Sequence, residues 1–243
     1  MNRFTLLFFL LFAAAFGSCK KENRCDCIKR TGDIVVDIRQ IGGFDRIQVE
    51  NNVNVFVIED SVFEVRVEAG ENIVSLIKTE VKNNTLIVRN KNRCNWTRSY
   101  QKPLNVYVHL PKLTYITSDG TGNIRSQNTF HTDTIDVQTM NSGDVELAVD
   151  NARVRTHMFG SGDIILKGAT DEHDCSIGGT AYIYAGTLRT NYTYIHTFTL
   201  GSCYIHATNL LICVIDEKGD VFCTGNPATV ERSQNSSGQL HIQ

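Results

Sequence analysis

The stretch FGSGDIILKG, residues Phe159 to Gly168, places a Gly-Ser-Gly-Asp turn directly before three apolar residues. Such a turn could cradle a phosphate, form part of a calcium loop, or mark a corner in a repeating fold. A phosphate-binding GxGxxG loop would need glycine at Ile165 and a helical pattern after it, and the sequence has neither. A calcium-binding nonapeptide array would need a much denser run of Gly-Asp pairs. The sequence therefore favours the corner of a repeat.

Similar turns return through the second half of the chain at a nearly constant spacing. Seven glycines precede a short strand-like segment: Gly122, Gly143, Gly162, Gly179, Gly201, Gly219 and Gly238. Their spacings are 21, 19, 17, 22, 18 and 19 residues, about 19 on average, which is typical of solenoid coils. The next residue is polar in each case, as expected for side chains that bond nearby backbone in a turn.

Each repeat also alternates apolar and variable positions after its glycine. Of the positions two and four residues after the glycines, only Ser126 is plainly polar. The position between them varies: Arg125, Glu146, Ile165, Tyr182, Tyr204, Phe222 and His241. This pattern predicts strands on a solenoid wall, with Ile164 and Leu166 buried and Ile165 pointing outward.

The first half of the chain is also predicted to form strands. Five segments alternate apolar with polar residues, namely 33–41, 45–60, 63–70, 84–91 and 104–110. The Asn83-Asn84 pair predicts a turn, and only residues 70–81 could hold a short helix. The whole chain is therefore expected to be all-β.

The N-terminus has the layout of an export signal. Arg3 precedes an apolar run, residues 4–16, that is too short to span a membrane. Small residues then lead to Cys19 in a pattern that resembles a bacterial lipobox, although Phe16 stands where leucine is usual. Lipidation of Cys19 would anchor the protein firmly, because several acyl chains bind a membrane better than one. The alternative is an ordinary signal peptide followed by an incidental cysteine.

Export implies an oxidising compartment in which disulfides form. Besides Cys19 the chain has seven cysteines, so at least one stays free or pairs between chains. We expect Cys25 or Cys27 to pair with Cys94 and so tie the N-terminal tether to the body. Cys203 stands two residues after its repeat glycine and Cys223 four residues after its own, so the two occupy different inward columns. Both are expected to remain buried thiols.

The order of the short motifs resembles a known family. FDRIQVENNVNVFVIED, VRVEAGENIVSLIKTEVKNNTLIV, LNVYVHLPKLTYITSDGTGNI and the repeated SGDV and SGDI are together similar to the head GIN domain. That family is described as auto-transporter adhesins and occurs in exported bacterial proteins and lipoproteins. The resemblance spans about residues 33–243 and implies a right-handed, single-stranded β-solenoid with no catalytic residues. The later coils depart from it, because GTAYIY and GSCYIH replace the usual Gly-Asp.

These observations divide the chain into four parts. We expect a signal peptide at 1–18, a lipidated cysteine and tether at 19–32, an N-terminal β region at 33–115 and repetitive coils at 116–243. The β region is expected to be continuous with the solenoid.

The acidic turn residues are the first candidates for chemistry. Asp144 and Asp163 should lie on adjacent coils, about 4.8 Å apart, where two carboxylates could bind a cation or share a proton. The neighbouring outward positions of these coils hold Glu146 and Ile165, so the basic residue that a polysaccharide lyase places there is missing. We therefore expect turn roles and no catalysis.

A close pair of metal-ligand types occurs at His173 and Cys175. We expect these two residues to face solvent in a turn, without a metal, and the chain shows no cofactor motif.

The variable positions between the two apolar ones form an outward column along the coils. This outward column offers a better candidate for a binding site. Ile165, Tyr182, Tyr204 and Phe222 fall on four successive coils, which predicts an apolar ladder roughly 15 Å long. Exposed apolar patches usually mark an interface, so these four residues are the candidate site for a glycan or protein ligand. The alternative is that another part of the chain, or a second copy in a homo-oligomer, covers the ladder.

The formal net charge of −2 gives no basic surface for nucleic acid. The sequence therefore predicts a non-catalytic, adhesin-like lipoprotein at the outer membrane or cell surface, with the periplasmic side as an alternative. Two other hypotheses stay open: a calcium-dependent, polysaccharide lyase-like enzyme, and a purely structural envelope spacer.

Overall fold

The structure, a computed structural model, describes residues 30–92 and 102–243. Cys19, Cys25, Cys27 and Cys94 lie outside these ranges, and so do the signal peptide, the lipidation and the tether disulfide predicted from them. Within the described ranges no helix has the length and apolar character needed to cross a membrane.

The described residues form strands and a short 3-10 helix, Val74–Leu76. The strands of the N-terminal half are β1 (Ile34–Arg39), β2 (Arg46–Asn51), β3 (Asn54–Glu59), β4 (Glu64–Gly70), β5 (Ile77–Lys82), β6 (Thr85–Asn90) and β7 (Asn105–Leu110). Those that follow are β8 (Tyr115–Gly120), β9 (Ile124–Phe130), β10 (Thr134–Thr139), β11 (Val145–Met158), β12 (Ile164–Gly179), β13 (Ile183–Thr199), β14 (Cys203–His206), β15 (Leu210–Ile215), β16 (Val221–Thr224), β17 (Thr229–Gln234) and β18 (Leu240–Ile242).

The chain winds into a β-solenoid of about 7 turns with coils about 19 residues apart, which confirms the predicted fold. Wall A consists of β3, β9, the first parts of β11, β12 and β13, and then β14, β16 and β18. Wall B consists of β2, β8, β10, the last parts of β11, β12 and β13, and then β15 and β17. Neighbouring strands within each wall run parallel.

The N-terminal half extends the two walls in an order that differs from the order along the chain. β6 and β7 pair in parallel with β2 and β3, so the coil of β2 and β3 lies between β6–β7 and β8–β9. β5 then pairs antiparallel with β6 on wall B, and β4 and β1 continue wall A in antiparallel fashion. The β5–β6 hairpin turns through Asn83 and Asn84, both with positive φ, as their sequence predicts.

One apolar core fills the solenoid between the walls. Ile164 and Leu166 are completely buried, whereas Ile165 between them is partly exposed on the outside. The predicted inward–outward–inward order of this strand is therefore confirmed, because a strand on a closed wall turns every second side chain to the core.

The corner glycines let the coils approach closely. A Cβ atom at Gly162 would lie 2.3 Å from the carbonyl oxygen of Gly143 on the preceding coil, and one at Gly143 would lie 2.2 Å from that of Gly122. These distances are too short for any side chain unless the backbone shifts. The repeated glycine thus reflects backbone packing between coils and not ligand binding.

The predicted glycine alignment is wrong at one coil. Ile164 pairs with Ile183 and Ile165 with Tyr184, so Ala181 stands in the place assigned to Gly179. The spacings from Gly162 to Ala181 and on to Gly201 are then 19 and 20 residues. The residues directly after the corner residues of successive coils form a column, which we call the turn column. Tyr182 consequently follows Asp163 in the turn column, and Tyr184 takes the outward position that Tyr182 was predicted to hold.

Four cysteines lie free and buried in the described part of the chain: Cys175, Cys203, Cys213 and Cys223. Cys203 pairs with Val221, and Cys223 pairs with Ile205, so the two cysteines belong to different inward columns, as predicted. Burial raises the pKa of Cys203 to about 12, which keeps its thiol protonated and unreactive.

The prediction that His173 and Cys175 face solvent in a turn is wrong. Both residues lie inside the solenoid, with His173 completely buried. β12 does not turn at this point but continues as an extended strand from wall A to wall B, so these positions join the inward-facing set.

Candidate functional site

The turn column of wall A is a ladder of hydrogen bonds between coils. The backbone N–H of Asp163 donates to Oδ1 of Asp144 at 2.9 Å, and that of Tyr182 donates to Oδ1 of Asp163 at 2.9 Å. Asn123 accepts in the same way from Asp144 at 3.1 Å. These carboxylates satisfy backbone donors at the corners, so their position follows from a structural role.

The outward column next to this ladder carries a stack of rings. Tyr184, Tyr204, Phe222 and His241 lie on successive coils, with ring-centroid distances of 5.4, 5.1 and 4.7 Å. Their interplanar angles are 8°, 12° and 14°, so each ring lies nearly parallel to the next. Tyr182 stacks beside Tyr184 at 6.0 Å. The parallel strands impose this arrangement by placing equivalent residues one strand spacing apart.

The stacking determines which ring atoms are exposed to solvent. Because each inner ring is covered on its faces by its neighbours, the edges and the tyrosine hydroxyls form the outer surface. Tyr184 is 40% exposed and Tyr204 is 37% exposed. Burial raises the pKa of Tyr184 further above neutral pH, and its protonated hydroxyl can donate a hydrogen bond.

Charged residues precede the rings on the same column. Glu146 pairs with Arg125 at 3.6 Å and with Lys167, and the hydrogen bond from Lys167 lowers the pKa of Glu146. Since its charge is neutralised by two cations, Glu146 is a poor candidate for general acid–base chemistry.

A second, smaller aromatic pair occurs near the N-terminal end of wall A. Phe56 stacks on Tyr107 at 5.0 Å with an interplanar angle of 17°. Phe56 also lines a shallow pocket of about 120 Å³ with Asn54, Asn123 and Arg125. The outer surface of wall A therefore alternates aromatic and charged segments along the solenoid.

The structure brings together most of the predicted binding residues. Tyr204 and Phe222 lie in the ring stack, and Ile165 occupies the same column, next to Tyr184. Tyr182 lies one position to the side, in the turn column, although its ring reaches Tyr184. Whether these residues bind a ligand remains a prediction.

Tyr184 and His241 were not among the predicted binding residues. The sequence contains a signal for Tyr184, because the mean repeat spacing of 19 residues leads from Ile165 to Tyr184. An alignment of the repeats on glycine alone does not use this spacing. His241 stood in the predicted outward column, and only the structure shows its ring stacked on Phe222.

In the described ranges no three His, Cys, Asp or Glu side chains are arranged to hold a metal ion. His173 and Cys175 contact each other at 3.1 Å within the core, where Thr156 is the third polar neighbour. The outer surface of wall A is built from aromatic rings and ion pairs.

Solved bacterial structures share this fold. A "putative adhesin" from Bacteroides fragilis has a TM-score of 0.81 at 21% identity, covering 88% of this chain and all of that one. A "putative adhesin" from Parabacteroides merdae has a TM-score of 0.68 at 18% identity, covering 88% of this chain and 98% of that one. A "putative lipid binding protein" from Parabacteroides distasonis has a TM-score of 0.70 at 19% identity, with coverages of 88% and 100%. At these identities the likeness shows the fold alone.

None of the curated proteins is significantly similar in sequence to this chain. The family model described as "Putative auto-transporter adhesin, head GIN domain" matches residues 43–227, from the turn before β2 to the loop after β16. This range takes in β2 to β16, including the coils that carry the ring stack down to Phe222. The chain therefore belongs to the head GIN domain family.

Proposed function

We propose that this chain is a non-catalytic, adhesin-like binding module of the bacterial envelope. Its binding surface is the ring wall, which we define as Ile165, Tyr182, Tyr184, Tyr204, Phe222 and His241. The single observation that supports this proposal is the ordered, partly exposed stack of Tyr184, Tyr204, Phe222 and His241. The description of the family as an adhesin head supports a location outside the cytoplasm.

The geometry of the stack favours a protein ligand over a glycan. A sugar ring binds flat on an exposed aromatic face, and here the inner faces are occupied by neighbouring rings. The exposed edges and hydroxyls instead resemble a tyrosine-rich protein interface, in which rigid side chains bind with little loss of conformational entropy. A glycan that runs along the edges is the alternative within the same proposal.

The occupied ring faces also support a second candidate, a purely structural spacer. In that case the stack would stabilise the solenoid, and no ligand would contact it. The binding experiment below separates the two functions.

A binding screen against immobilised matrix proteins and glycans provides the test. Tyr184→Ala, Tyr204→Ala and Phe222→Ala together should abolish binding of the captured partner. They should also cost roughly 0.5–1.5 kcal/mol of stability for each ring pair lost. Circular dichroism should show that the fold is retained.

The matched control changes the turn ladder. Asp144→Asn with Asp163→Asn keeps an oxygen acceptor at each corner, so binding should remain nearly unchanged. Loss of binding in this variant and retention in the ring variant would favour a cation-dependent lyase or adhesin. No binding by the wild-type protein to either ligand class would favour the spacer.

The anchoring of this module is a further part of the proposal. We infer that Cys19 is lipidated, because small residues precede it after a short apolar run. Mass spectrometry should find the mature N-terminus at Cys19 with its acyl groups, and Cys19→Ala should leave the protein soluble or unprocessed. An unmodified mature N-terminus at another residue would contradict lipidation without affecting the ring wall.

A further inference from the structure

β1 is an apolar strand with an open side. Ile34, Val36 and Ile38 share its outer face and are 39%, 57% and 56% exposed. In the described part of the chain β1 pairs with β4 alone, so its other edge carries no partner strand. Soluble proteins normally protect such an edge with charges, proline or a covering segment, because it is a template for pairing with another strand.

The β1–β4 ladder shows which backbone groups point to the open edge. The N–H of Glu71 donates to the carbonyl oxygen of Asp33 at 2.8 Å, which makes Asp33 a hydrogen-bonded position of this antiparallel pair. Hydrogen bonding alternates along an antiparallel pair, so the N–H and C=O groups of Ile34, Val36 and Ile38 point away from β4. The exposed side chains and the free backbone groups thus belong to the same three residues.

We propose that this edge pairs with β1 of a second copy of the chain, antiparallel and with the two-fold axis at Val36. In that register Ile34 lies opposite Ile38 of the second copy, and Val36 lies opposite its own equivalent. Because all three residues direct their backbone groups outward, the register forms hydrogen-bonded pairs at each of them. The apolar residues of both strands then make one continuous face.

Length and apolar pattern support the same register. A shift of two residues along the strand would place Ile34 opposite Val36 and leave a shorter overlap. Both halves of the contact are equivalent because the axis is two-fold. The edge is therefore self-complementary in length and apolar pattern.

This association is independent of the proposed ring wall. β1 is separated from Tyr184 on wall A by β4, β7, β3, β9 and the first parts of β11 and β12, so a dimer formed through β1 leaves the rings accessible. A dimer would present two ring walls to one surface and thereby raise avidity without new contacts.

Sedimentation velocity of the purified chain over two decades of concentration tests the proposal. The wild-type protein should show a concentration-dependent dimer. Val36→Lys should raise the dissociation constant about tenfold or more, because it places two like charges directly opposite each other. Val230→Lys is the matched control, since Val230 is 37% exposed on β17 of wall B, and it should dimerise like the wild type.

Two further measurements keep the result specific to the edge. Hydrogen exchange over residues 33–39 should slow as concentration rises, and the triple ring variant should dimerise normally. The proposal is overturned if the wild type stays monomeric, if the two lysine variants behave alike, or if only the ring variant loses the dimer. It is also overturned if the edge amides are equally protected in a monomer, because another segment of the chain would then occupy the edge.

Discussion

Leu166→Ala is expected to destabilise the protein by roughly 2–5 kcal/mol, a large part of the stability of a typical domain. Leu166 is completely buried and pairs with Leu147 on the adjacent coil. The coils are held at strand spacing by their backbone hydrogen bonds, so the walls have little freedom to collapse into the space left by the side chain. The cost should therefore include a cavity as well as the lost transfer of apolar atoms from water.

Ile165→Ala is the matched control, because it removes a similar side chain from the adjacent position on the outer face. Ile165 is only partly buried, and its loss leaves no closed cavity. Urea denaturation of both variants should therefore show a much smaller loss for Ile165→Ala. Equal losses at the two positions would contradict the inward–outward assignment on which the ring wall depends.

Acidification from pH 7 to pH 5 is expected to cost about 2 kcal/mol through His173 alone. The His173 ring is completely buried, with Nε2 at 2.9 Å from Oγ1 of Thr156. Burial lowers the pKa of His173 to about 3 from the ordinary value of 6.5. Below pH 6.5 the unfolded chain therefore binds a proton that the folded chain does not. Stability falls as the pH falls from about 6.5 towards 3.

His173→Leu separates this effect from the titration of other groups. The leucine variant has no proton to bind at this position, so its stability should depend much less on pH between 7 and 5. Thermal denaturation at several pH values measures both proteins. An identical pH dependence in the two would show that His173 is already charged, or is exposed, in the folded protein.

The repeat could be predicted from the sequence because each coil repeats the same local constraints. Close approach of backbones requires glycine at the corners, and the two-residue alternation of strands sets the inward positions. Gly143 and Gly162 stack as their spacing predicts. The predicted alignment failed at Ala181, because alanine takes the corner position there and a search for glycine cannot detect it.

The order of the N-terminal strands could not be predicted in this way. β6 and β7 join the solenoid beside β2 and β3, and this pairing depends on contacts between segments about 40 to 50 residues apart. Alternation identifies a strand and its faces, but not its neighbours. For the same reason the open edge of β1 was not visible in the sequence.

The candidate site was predicted only in part because its key feature is relative orientation. The outward column identified Tyr204 and Phe222, yet only the structure shows that the rings stack nearly parallel to each other. That stacking changes the expected ligand from a glycan to a protein, since the edges of the rings are more accessible than their faces. The position of His173 was predicted wrongly because a polar residue between Glu172 and Asp174 resembles a turn, although β12 is extended there.

The most direct test of the ring wall is a hydrogen-exchange footprint of the wild-type protein with a partner captured in the screen. Binding should slow exchange in the segments 182–184, 203–206, 221–224 and 240–242, which carry the rings on wall A. Exchange in the wall B strands β10, β15 and β17 should be unchanged. Protection confined to wall B, with no change in the ring segments, would contradict the assignment of the ring wall as the binding surface.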